Sequence, residues 1–251
     1  MSDHAGVQAL FDAKAAGWPA KYGPAGRLAG RLARFAGAVT DRVDTGGAVL
    51  DLGCGSGELA RCLAALGYRV TGCDIAPRML SRAAACDYAH AVTWVKLAAG
   101  WRVLPFEPGS VDAVVAASVL EYVTDPFAVL RECARVLRPG GTLLCSVPDV
   151  AHPVRWLEWP LVLAARTPLG LLARSTWPRL GWYLAYLRAS RQRRRLSWWH
   201  AAGSRAGLRP APWPARPAAR APLRLLAFTR PGEVPGGRPD RIGLDSIGEE
   251  Q

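Results

Sequence analysis

No stretch of this 251-residue chain reaches 18 uninterrupted apolar residues, so no membrane-crossing helix is expected. The opening residues, Met1-Ser2-Asp3-His4, are polar and carry no signal-peptide pattern, which makes the cytoplasm the expected compartment. The six cysteines (54, 62, 73, 86, 133 and 145) never stand in C-x-x-C spacing. Five of them fall in apolar strand or helix patterns, as small hydrophobes of a reducing compartment do, and not as disulfides or metal ligands. No cluster of ligand-type residues suggests a metal. Half of the residues are apolar, which excludes disorder throughout, and the length suits one α/β domain with some decoration.

Acidic residues are scarce in one region only. Residues 1–150 carry 15 Lys/Arg and 14 Asp/Glu, whereas residues 151–251 carry 17 and 6. Nearly all of the net charge of +12 therefore lies in the last two-fifths.

What is present is organised around Val49-Leu50-Asp51-Leu52-Gly53-Cys54-Gly55-Ser56-Gly57-Glu58. Four residues read as a short buried strand, three glycines turn the chain, and Glu58 opens a helix. Glycine tolerates φ > 0 and lets a ligand approach the backbone, while the helix start offers unpaired N–H groups. This is a nucleotide-type pocket. A phosphate-binding P-loop would need Lys-Ser/Thr after the last glycine, where Glu58-Leu59 stands. The spacing is G-x-G-x-G, not the G-x-G-x-x-G of dinucleotide sites.

The stretch resembles the first motif of the class I S-adenosylmethionine (SAM)-dependent methyltransferases, small-molecule or lipid type. The resemblance implies a Rossmann-like seven-stranded, mostly parallel sheet with an antiparallel last strand and helices on both faces. It implies SAM as cofactor, with Gly53, Cys54, Gly55 and Gly57 around its methionyl and ribose part. Asp51 would help hold its amino-acid end, directly or through water. Tyr68 to Asp74 reads as the second strand, and Asp74, 17 positions after Gly57, matches the family's ribose-binding carboxylate. Ile75 would pack on the adenine. After the third strand, 92–97, the family usually places an acid before L-P-F; here Gly100-Trp101-Arg102-Val103-Leu104-Pro105-Phe106 has glycine instead. The Trp101 backbone N–H or its stacked ring is the expected substitute.

The run 110–118 is apolar throughout in the manner of a doubly buried strand, and 119–126 resembles the family sequel that lines the junction of cofactor and acceptor. Ser118 is thereby a cofactor candidate and Glu121 and Tyr122 catalytic candidates, Tyr122 replacing a frequent His. A helix over 126–137 stops at Arg138-Pro139-Gly140-Gly141, and strand 142–148 follows. His152, just after it, is the third candidate base. His200 is a further histidine of that kind, on the last helix.

The expected organisation is a helical cap over 1–44, a SAM-binding core over 45–150, a variable insertion over 151–197, the last helix and strands over 198–230, and a disordered tail over 231–251. In the cap, Phe11, Asp12, Trp18 and Tyr22 follow an F-D-x-x-A-x-x-W-x-x-x-Y spacing, and the resemblance brings Tyr22 near the cofactor. In the insertion, tryptophans at 156, 159, 177 and 182 precede arginines at 188, 191 and 193–195. Such a segment suits a lid over a lipophilic acceptor or peripheral contact with an anionic membrane, and equally an ordinary helical cap with a solvated Arg face. Nucleic acid is not the expected partner, since no N-P-P-Y or D-P-P-Y tetrad follows the fourth strand. Two readings stay open: an enzyme methylating a small or lipophilic acceptor at O, N or C, and a non-catalytic SAM-binding relative acting through its basic, Trp-rich segment.

Overall fold

The computed structural model describes residues 3–23, 26, 28–164, 167, 178–213 and 222–232. Five parallel strands come first: β1 (Ala48–Leu52), β2 (Arg69–Asp74), β3 (Val92–Lys96), β4 (Val111–Ala116) and β5 (Leu137–Pro148). β6 (Arg209–Ala211) and β7 (Leu223–Thr229) complete a seven-stranded sheet in the order β3-β2-β1-β4-β5-β7-β6. β7 runs antiparallel to both of its neighbours. The helices are α1 (Asp3–Lys14), α2 (Ala29–Thr40), α3 (Glu58–Ala65), α4 (Pro77–Ala85), α5 (Pro126–Val136), α6 (Val154–Ala164), α7 (Pro178–Ala189) and α8 (Leu196–Arg205).

Strand periodicity sorts the core into two layers. Leu50 and Leu52 of β1 and Val114 and Ala116 of β4 pack with α5 and α8 through Leu130, Cys133 and Trp199. Val49, Ala113 and Val115 face the other way, against Phe35 and Val39 of α2 and Leu59 and Leu63 of α3. All six residues of β4 are buried, because both faces of the sheet are covered. Asp51 lies on the α3 side of β1, where alternation would place an apolar residue.

Local signals set the helix ends. Asp125 accepts the Ala128 N–H at 3.0 Å as N-cap of α5, with Pro126 as its first residue. The Leu66-Gly67 turn ends α3, Gly67 having φ +90°. Two boundaries differ from expectation. β5 begins at Leu137, not 142, because Leu137 pairs with Val111 before a register shift at Val111/Ala113. Of the expected strand 209–216, Arg209–Ala211 pairs, on the sheet edge where Pro210 is tolerated, and 214–216 lie outside the described residues. Residues 165–166, 168–177 and 233–251, which include Trp177 and nearly all of the expected tail, lie outside the described residues. Among the described residues no helix is long and apolar enough to cross a membrane, and no metal-ligating cluster is found. All six cysteines are free thiols.

Candidate functional site

The carboxyl ends of β1, β2, β3 and β4 open into one cavity of about 310 Å³. Gly53, Cys54 and Gly55 form its floor, and Asp74 and Ile75 follow from the end of β2. The Asp74 carboxylate accepts the Gly55 N–H at 2.9 Å through Oδ2 and the Ala76 N–H at 2.8 Å through Oδ1. It thereby ties the glycine loop to the second strand. Burial raises its pKa, against those backbone donors. Gly57 lies behind the loop and not in the cavity wall: at φ +79° a Cβ there would stand 2.4 Å from the Trp94 ring. Only glycine lets α3 start this close to β3.

Asp51 is 2 % exposed and its Oδ2 has no hydrogen-bond partner. Burial lifts its pKa to about 7, with Asp74 and Glu58 adding to the effect and the Ala60 backbone N–H opposing it. It borders a small recess shared with Gly53, Cys54, Tyr22 and Arg31, against the floor of the main cavity. A buried acid pair with an unpartnered oxygen is a place for a cation.

The roof comes from the N-terminus. α1 and the two 3₁₀ turns after it (Ala15–Gly17, Pro19–Lys21) carry Phe11, Trp18 and Tyr22 across the opening. Phe11 meets Trp18 edge-on at 5.5 Å and Tyr122 at 5.1 Å, and the Lys21 ammonium sits 3.4 Å over the Trp18 ring. Arg31 of α2 closes the β4 side, its Nη1 donating to Ser118 Oγ at 2.6 Å and its Nη2 to Tyr22 Oη at 3.2 Å. Ser118 adopts φ +59°, a costly conformation for a residue with a Cβ, held by Arg31 and by its own N–H to Ser146 Oγ at 2.9 Å.

The structure thus gathers Gly53, Cys54, Gly55, Asp74 and Ile75, together with Trp101, Ser118, Tyr22 and Tyr122, around one space. Three candidates stand elsewhere than expected. His152 does not reach the cavity: it occupies a turn at the root of α6, its N–H donating to Asp149 O at 3.2 Å and its Nδ1 accepting the Val154 N–H at 3.2 Å. His200, on α8, packs edge-on against Phe228 at 6.1 Å and likewise does not line the cavity. Glu121 is 1 % exposed and lies behind the wall, where Ser190 Oγ donates to Oε2 at 3.4 Å. Burial raises its pKa, with the Tyr122 hydroxyl bond opposing. Burial likewise pushes up Tyr122, which bonds both Glu121 and Tyr186. The Trp101 N–H expected to meet the adenine is engaged by Ala98 O at 3.1 Å. Among the described residues none of 151–197 lines the cavity, so the lid over it is the N-terminal segment. Arg31, His4 and Thr124 also line it and were not legible as site residues. Arg31 lay unmarked in an alanine-rich amphipathic run, and His4 in a polar N-terminus.

Residues 50–145 match the family described as a methyltransferase domain. Over 107 residues the chain is 41% identical to a ubiquinone biosynthesis O-methyltransferase of Xanthomonas campestris pv. campestris, covering 40% of this chain and 43% of that one. A namesake from Xanthomonas oryzae pv. oryzae is 41% identical over 115 residues, 43% of this chain and 46% of the relative. The chain thus aligns with less than half the length of these relatives. Among solved structures, the chain bound to the Trm112 methyltransferase activator in Haloferax volcanii superposes with TM-score 0.62 at 25% identity, covering 88% of this chain and 97% of that one. A SAM-dependent methyltransferase from Thermotoga maritima shares the fold, with TM-score 0.59 at 16% identity over 88% of this chain and 99% of its own.

The residues present fit SAM. The unpartnered Asp51 Oδ2 suits a cationic ligand, Asp74 suits ribose hydroxyls, and Arg31 suits a carboxylate. Residues 50–145 thus match a methyltransferase domain, the fold is that of the SAM-dependent methyltransferases, and SAM is the cofactor that the cavity accommodates.

Proposed function

We propose that this chain methylates a small, lipophilic acceptor that presents a hydroxyl group. The observation that carries the reading is the division of one cavity into a charged part, at Asp74 and Arg31 with Asp51 in the recess against its floor, and an aromatic part, at Phe11, Trp18 and Tyr122. SAM supplies an electrophilic methyl carbon and a leaving thioether that needs no acid. The chain's task is alignment in a dry space, and proximity accounts for much of the rate of such reactions. Gly53, Cys54 and Gly55 provide the close floor, Ile75 and Trp101 flank the purine, and the rings of the N-terminal segment exclude water.

A hydroxyl acceptor must also lose its proton. Tyr122 faces the cavity and bonds the buried Glu121. In the proposed step the Tyr122 oxygen takes the acceptor's proton as its own moves to Glu121, whose raised pKa makes it a stronger base than an ordinary carboxylate. The relatives' name supports oxygen as the methylated atom. His152, outside the cavity, has no part in this step.

The acceptor's lipophilicity gains support from α6. Trp156, Trp159 and Leu163 are 81%, 74% and 63% exposed, at i, i+3 and i+7 of one helix face. Arg188, Arg194 and Arg195 are exposed nearby in sequence. This combination suits docking on an anionic bilayer in which such an acceptor dissolves, each arginine contributing about 1 kcal/mol. The test is incubation with methyl-labelled SAM and a lysate separated into organic, small aqueous and macromolecular fractions. Label in the organic fraction is expected. Label in the aqueous or macromolecular fraction overturns the lipophilic reading, and SAM binding without transfer across several acceptor-rich lysates favours a binding protein.

A further inference from the structure

The cavity's far end, beyond Asp74, is where a purine ring would project, and the loop after β3 offers it little. Gly100 has no side chain, Trp101 has its N–H engaged by Ala98 O, and no acid of that loop lines the space. The gap is filled from another part of the chain. The His4 ring, on the first turn of α1, lies so close to Gly100 that a Cβ at that position (φ +79°) would stand 3.1 Å from Cδ2 and 3.6 Å from Nε2. His4 Nε2 is 3.0 Å from Thr124 Oγ1, on the loop before α5. The imidazole therefore bridges the loops after β3 and β4 across the cavity end, and His4, Gly100, Trp101 and Thr124 all line it.

Resting on the SAM reading above, we propose that His4 recognises the 6-amino group of the adenine. With Nε2–H donating to Thr124 Oγ1, Nδ1 is left as an acceptor on the ring edge turned away from Gly100. An exocyclic amino group is the matching donor. Glycine at 100 favours the arrangement, since its φ of +79° suits glycine and a Cβ there would press on the imidazole at 3.1 Å. The remaining charged groups on this rim are Arg102 and Asp125. Arg102 carries only donors, and Asp125 caps α5 through Oδ1, so its Oδ2 is a second acceptor on this rim, which the His4 variants below leave in place.

The test compares S-adenosylhomocysteine with its purine analogue lacking only the 6-amino group, by calorimetry on the full chain. The wild type is expected to prefer the adenine compound about tenfold, the scale of one good hydrogen bond. His4→Ala and His4→Phe are expected to bring that preference close to one. The phenylalanine variant keeps a ring against Gly100, so a fall in preference with unchanged thermal stability separates recognition from packing. Full preference in either folded variant, or equal weakening for both ligands, overturns the assignment while leaving the SAM reading intact. Failure of the wild type to bind S-adenosylhomocysteine overturns both.

Discussion

The proposed seat of the cofactor's positive charge at Asp51 would tie binding to pH, and Asp51→Asn is the perturbation that tests the link. Its carboxyl titrates at about 7 in the folded protein and at 3.8 when unperturbed. A ligand that brings positive charge binds the ionised form, so binding must expel the proton. For one such proton the apparent affinity falls about tenfold from pH 8 to pH 6, and by a further factor approaching ten per unit below that. Isothermal calorimetry with S-adenosylhomocysteine in two buffers of different ionisation heat should find about half a proton released at pH 7 and nearly one at pH 6. The ligand's own amino group titrates identically against wild type and Asp51→Asn, so the ratio of their affinities isolates Asp51. Above pH 7.5 the variant is expected to bind roughly ten- to a hundredfold more weakly, the scale of a lost hydrogen bond to a charged group. That gap should narrow as pH falls.

Stability changes in the opposite sense. A carboxyl whose folded pKa is raised keeps its proton in the native state while the unfolded chain releases it. The native state therefore loses stability as pH rises from 3.8 to about 7. At about 1.36 kcal/mol per pH unit this accumulates to at most roughly 4 kcal/mol. Asp51→Asn without ligand should melt higher than wild type at pH 8, with the difference shrinking toward pH 4. A variant that binds as tightly as wild type, or an affinity ratio flat in pH, would refute the placement of the cofactor's positive charge at Asp51.

Tyr122→Phe should lower turnover at least tenfold with SAM affinity changed less than twofold, since only the hydroxyl bonded to Glu121 is removed; single-turnover transfer and calorimetry separate the two. Gly57→Ala should cost about 1–3 kcal/mol in denaturant unfolding from its left-handed backbone and the Trp94 contact, and weaken SAM binding by displacing the loop. Glu158 accepts from Arg155 at 2.6 Å, Arg193 at 2.9 Å and the Tyr183 hydroxyl at 2.9 Å. Burial alone would raise its pKa, but these donors outweigh it and the pKa is lowered. Its stabilisation is present above the ordinary carboxylate pKa and is lost as pH falls through the lower folded value. Glu158→Gln should accordingly lower the melting temperature at pH 7, with a smaller difference in acid. Trp156→Ala with Trp159→Ala should weaken sedimentation with phosphatidylglycerol vesicles at least fivefold and leave SAM affinity unchanged.

Apart from the start of β5, the strands of the core were legible because both signals that mark them are local. Continuous apolar runs such as 111–116 declare a doubly covered strand, and glycine or proline at 53–57, 67, 77 and 126 marks the junctions. The glycine loop and Asp74 were legible for a related reason: a close approach to backbone admits only glycine, and an acid at the end of the second strand follows at a set distance along one β-α-β unit. Proline at 210, 212 and 214 signalled an edge strand, yet how short it is depended on pairing with β7.

Other features depended on contacts between distant parts of the chain. His152 follows β5 directly, but the sheet directs it into the turn below α6 and away from the ends of β1 and β2. By composition the insertion suited a lid or an ordinary cap alike; among the described residues α1 and the turns to Lys21 roof the cavity, because Phe11 and Trp18 find Tyr122 and the glycine loop there. Arg31, 87 residues from Ser118, gives no sign in an alanine-rich helix of the hydroxyl it bonds. Gly100 was visible as a missing acid, but that His4 occupies its place required the fold to bring the first helix across the third strand's loop. The sequence by itself determined the sheet, the glycine loop and the acid that ends β2, since each is set by neighbours within one turn or strand. Tertiary structure alone decided which side chains close the cavity, because closure depends on where separate helices pack.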